Sequence, residues 1–203
     1  MKPFALFGLA VAVVIGLSAT AASIAQTPST NPDAAQFDDQ GRFLPPANYR
    51  DWVFLSSGVD MSYSEAAAAN PERHSFTNTF APRAAVDAFK RDGKWPDKTV
   101  LALEVRGGAS NGSINKRGVF QSGAAQGVEF HVKDEARFKG GWAFYGPSGG
   151  KPATMIPTAA ACYACHQDHA AADTTFVQFY PTLFPVAEKL STLSAKYLAE
   201  EKR

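Results

Sequence analysis

The only two cysteines in the chain, Cys162 and Cys165, stand three positions apart, and His166 follows directly. On a helix that spacing places two thiols about one turn apart. Two thiols so placed can each form a thioether with one of the two vinyl groups on one side of a porphyrin. A histidine immediately after the second thiol then offers its imidazole to the iron. Cys162-Tyr163-Ala164-Cys165-His166 therefore reads as the attachment site of one covalent haem c, with His166 as the protein ligand to iron. A bare C-x-x-C also suits a thioredoxin-like redox pair or half of a zinc site. No second cysteine pair exists to complete a zinc site, and no βαβ pattern precedes these cysteines. In an exported chain two thiols usually form a disulfide, but the added histidine argues for haem.

The sixth iron position decides what such a haem does. Electron carriers usually fill it with Met or His. No methionine follows the motif, and Met61 and Met155 both precede it. Met155 lies seven residues before Cys162, too close in sequence to cross easily to the other haem face. His169 would sit on the same side of a helix as His166. His74 and His131 fall in strand-like stretches, where surface or hydrogen-bonded roles are common. The pattern predicts five-coordinate iron beneath an apolar distal pocket, which favours NO and CO over O₂ because bound O₂ seeks a hydrogen-bond donor. A six-coordinate electron-transfer cytochrome is the alternative.

Twenty basic and 19 acidic side chains leave no basic excess for nucleic acid. Residues 1–25 read as a signal peptide: Lys2, an apolar stretch over residues 4–17, and Ser23-Ile24-Ala25 as a cleavage site. Thr20-Ala21 offers another cut, and an uncleaved anchor is the rival reading. The apolar stretch is short against the roughly 20 residues of a membrane span. The expectation is a periplasmic protein with no stable membrane anchor.

Residues 26–46, rich in Pro, Asn and Asp, read as a flexible leader, 47–190 as the haem domain and 191–203 as a C-terminal helix or tail. Asn48 predicts a capped helix over 49–55, and 66–73 a loop. Strands are expected at 75–80, 99–105, 119–121, 128–132 and 142–145. Pro82 opens a helix with Ala85, Val86 and Phe89 on one face, ending at Gly93. A helical turn is expected at 134–138 and an amphipathic helix over 184–202. This predicts an α+β fold: an antiparallel sheet with a few helices and a C-terminal haem-attachment helix, not a four-helix bundle.

Several stretches resemble the cytochrome P-460 family, which includes the cytochromes c′-beta. They are Asn48-Tyr49-Arg50-Asp51-Trp52-Val53, Asp97-Lys98-Thr99-Val100, Val132-Lys133-Asp134-Glu135-Ala136-Arg137-Phe138 and Trp142-Ala143-Phe144-Tyr145. The cysteine motif and Asp173-Thr174-Thr175-Phe176-Val177-Gln178-Phe179-Tyr180-Pro181 complete the resemblance, which spans roughly residues 37–183. It implies a usually dimeric β-sheet domain with an open distal site. Members with a lysine-to-haem crosslink oxidise hydroxylamine and handle NO, passing electrons to a redox partner. The c′-beta members lack the crosslink and bind NO and CO under a phenylalanine cap. The crosslinking lysine aligns with Leu103, which favours the c′-beta reading, and Lys98 falls before the strand. The same alignment makes Phe54 and Phe80 candidates for the distal cap, and Asp173 and Tyr180 candidates to support His166, with core or capping roles as their alternatives.

Overall fold

The computed structural model describes residues 31, 33–63 and 74–202. Five strands form one antiparallel sheet whose spatial order is their chain order. They are β3 (Val53–Val59), β4 (Ser75–Ala81), β5 (Val100–Ala109), β6 (Phe120–Lys133) and β7 (Trp142–Tyr145). Ahead of them β1 (Gln36–Phe37) and β2 (Phe43–Leu44) form a separate antiparallel pair. Helix α1 (Arg83–Asp92) lies between β4 and β5, and α2 (Ala161–His169), α3 (Phe184–Lys189) and α4 (Ala195–Glu200) follow the sheet. The fold is α+β, and the cysteine motif lies on α2.

Successive side chains on a strand point to opposite faces, and both faces of this sheet are covered. One face packs Phe43, Tyr49, Trp52, Ala102, Phe130 and Val132 together. The other carries Leu55, Ala81 and Leu101 against Val86 and Phe89 of α1 and Leu183, Ala187 and Tyr197 of the C-terminal segment. Phe89 stacks at a tilt on Trp95, ring centres 4.7 Å apart. Gly93 closes α1 in the left-handed conformation, φ 68°, where a side chain would also meet Thr192.

Glu104 anchors the first face. It is buried, and it accepts hydrogen bonds from the Tyr49 hydroxyl at 2.6 Å and Arg50 Nε at 2.7 Å, with Arg106 pairing its other oxygen. Burial alone would raise its pKa, but the bonds from Tyr49, Arg106 and Arg50 hold the carboxyl below its ordinary value.

Four expectations change. Residues 53–55 belong to β3, preceded only by a 3-10 turn at Tyr49–Asp51, because Val53 and Phe54 pair with Ala81 and Phe80. Asn48 donates to Asp33 rather than capping a helix. The leader contains the β1–β2 pair, with Phe43 fully buried. The stretches at 119–121 and 128–132 merge into the single 14-residue β6, bulged against β5. The long C-terminal helix is two short ones, interrupted where Ser191 turns left-handed (φ 56°) and restarted by Ser194, whose hydroxyl accepts from Tyr197 N–H. The predicted signal peptide and the loop at 66–73 lie outside the described residues. Among the described residues no helix is long and apolar enough to cross a membrane.

Phe89→Ala should lower the unfolding free energy by about 3–5 kcal/mol. Phe54→Ala, at a side chain 54% exposed, should cost far less. Denaturant titration of the two variants checks both.

Candidate haem-binding site

Cys162, Cys165 and His166 open onto one cleft of about 240 Å³. Its wall is the second face of the sheet, read across the strands. Ser56, Thr79, Leu103 and Glu129 are neighbours in one cross-strand row. Leu101, His131 and Phe144 form the next row. Phe176, Phe179 and Tyr180 line the cleft from the segment after α2.

His166 is almost fully buried, with Phe144 and Phe176 ring centres at 4.6 and 4.3 Å. Its Nδ1–H donates to the Thr174 carbonyl at 2.9 Å, which leaves Nε2 as the nitrogen free for a metal. Burial lowers its pKa, so the ring is held neutral, the state a ligand needs. The two thiols are unpaired. Burial pushes the Cys165 thiol up, with Asp168 adding to the effect, the opposite of the lowered pKa that a thioredoxin-like cysteine requires. Two unpaired thiols one turn apart and a neutral imidazole with one nitrogen free, in a largely apolar cleft, fit a haem.

The other proposed iron ligands separate clearly. The ring of His131 stands edge-on to that of His166, centres 4.7 Å apart, so it lies beside the imidazole rather than across from it. Burial, then the neighbouring His166, drives the pKa of His131 well down. His74 pairs with Asp60 at 2.6 Å and does not line the cleft. Met155 does not line it either; Met61 does, lying over Gly58. His169 pairs with Glu200 at 2.9 Å.

Leu103 lines the cleft, but Phe54 and Phe80 do not. In β4 the side chains alternate, so Thr77 and Thr79 face the cleft while Phe80 packs on Tyr49 behind the sheet, ring centres 5.8 Å apart. Phe54, paired with Phe80 across the strands, meets it edge-on at the same spacing. Tyr180 is a cleft and core residue, and burial raises its phenol. Asp173 bonds to Trp95 and Lys133; it is Thr174, its neighbour, that holds His166. Lys98 pairs with Asp134 and Asp97, away from the cleft.

Glu129 was missed. It lies across from Leu103, and burial alone raises its carboxyl above the ordinary value. The available signal was the Glu129-x-His131 spacing, which puts two ionisable groups on one face of a strand.

The family model described as Cytochrome P-460 matches residues 46–177, well over half of the chain. No curated protein matches it. The matched span begins just ahead of the 3-10 turn and ends beyond the Thr174 carbonyl, so it takes in the whole five-stranded sheet and all of α2. The chain therefore belongs to the cytochrome P-460 family, a family of haem-containing c-type cytochromes.

Proposed function

We propose that this is an exported, periplasmic mono-haem c-type cytochrome that binds small gases, NO and CO, at an iron held by His166. Cys162 and Cys165 would bind the haem covalently, and the iron would supply one open coordination position. The observation that carries the reading is Leu103: an alkyl side chain stands mid-wall where the family resemblance places a crosslinking lysine. An alkyl group forms no bond to the ring and offers no donor to bound O₂. The signal-like first 25 residues support export, and the family resemblance supports a homodimer.

Glu129 favours a second reading, oxidation of hydroxylamine or NO with electrons passed to a redox partner. A carboxyl with a raised pKa in the cleft wall can take up and release protons near neutral pH more readily than an ordinary carboxylate. The cleft is accordingly less apolar than its sequence promised. Turnover of hydroxylamine with an added electron acceptor would displace the binding reading in favour of this one.

Three outcomes are expected. Holoprotein from a host that matures c-type cytochromes should carry the mass of one haem, and Cys162→Ser with Cys165→Ser should release that haem on acid extraction. The optical spectrum should be high-spin and five-coordinate and should shift with NO. A low-spin spectrum abolished by Met61→Leu would instead establish an electron carrier. The third concerns pH. Because the folded pKa of Glu129 lies above its unfolded value, the folded state keeps a proton that the unfolded state has lost, and stability falls as pH rises through that interval. Glu129→Gln should therefore match the parent below the interval and exceed it above, as read from denaturant midpoints across the acidic to neutral range.

A further inference from the structure

Asp173 and Thr174 are successive non-glycine residues in the left-handed region, φ 47° and 58°. Thr is β-branched, so this backbone persists only where its surroundings hold it. Asp173 Oδ2 accepts from the Trp95 backbone N–H at 3.0 Å and from Lys133 Nζ at 2.9 Å. Lys133, only 7% exposed, also donates to the Trp95 carbonyl at 2.7 Å. One residue further on, Trp95 Nε1–H donates to the Thr175 hydroxyl at 2.9 Å. Trp95, Lys133 and Asp173 do not line the cleft. Yet the carbonyl between the clamped residues, that of Thr174, is the one that accepts from His166 Nδ1–H.

We infer that the pair of buried Lys133 and half-buried Asp173 positions the iron ligand, holding a strained turn so that the Thr174 carbonyl fixes the orientation and donor strength of His166. A firm Nδ1–H···O bond makes Nε2 more basic and keeps the ring from rotating. The pair thus acts through Thr174 and touches neither haem nor substrate. The inference rests on His166 being the iron's protein ligand. If the pair served only to tie β6 to the segment after α2, its loss would lower stability and leave the iron's spectroscopy alone.

The test uses ferrous holoprotein and reads the iron–histidine stretching band by resonance Raman together with the midpoint potential. In Asp173→Asn the band should move to lower frequency and broaden, and the potential should rise. Retention of His166 on iron when NO binds should fall about tenfold, the lower end of what loss of such outer support costs. Lys133→Gln should do the same from the other end of the pair, and it decides the matter if the Asn variant does not accumulate. Lys98→Gln, which breaks the separate Lys98–Asp134 pair, should reduce stability without moving the band. An unmoved band and potential in either pair variant would overturn the inference while leaving haem ligation intact. A parent protein with no iron–histidine band would overturn the ligation reading itself, and the inference with it.

Discussion

A histidine can hold iron through only one of its ring nitrogens, and the other must be given something to do. In this protein the hydrogen bond from His166 Nδ1–H to the Thr174 carbonyl settles that choice. It fixes the tautomer, turns Nε2 outward and joins the short helix carrying the cysteines to the segment that follows it. Phe144 and Phe176 close around the ring and keep water from competing. Everything proposed about the iron presupposes this one contact, because a loose imidazole neither keeps its metal nor leaves the opposite position cleanly open.

The sheet places the contact. Its five strands are sequential, so every neighbour in space is a neighbour in the chain, and the junction from β4 to β5 carries α1. The meander gives a broad face without crossovers, and the registers bring Ser56, Thr79, Leu103 and Glu129 into line although they are spread over much of the chain. The helical segments cover part of that face and leave the remainder as the cleft.

The attachment motif was fully legible because its chemistry is local: two thiols and an imidazole within five residues on one turn of helix. The central strands, α1 and its glycine stop were legible from period and breakers. The distal wall was not, for a physical reason. A sheet buried on both faces has apolar residues on each, so hydrophobicity no longer marks which side holds a ligand. The family alignment pointed to Phe80, which lies behind the sheet, whereas Thr77 and Thr79 form the wall. Residues 53–55 failed differently: a plausible helix cap at Asn48 was outweighed by long-range pairing with β4, which no local pattern contains. The Thr174 carbonyl was invisible in principle, since main-chain acceptors carry no signature in a side-chain alphabet.

Leu103 and Glu104 are adjacent in β5 and face opposite ways, one toward the cleft and one into the charged anchor with Tyr49, Arg50 and Arg106. Reactivity and architecture are thus wired to consecutive codons yet kept mechanically apart. A replacement at the first need not loosen the second, so the lining of the cleft can vary while the anchor behind the sheet stays as it is.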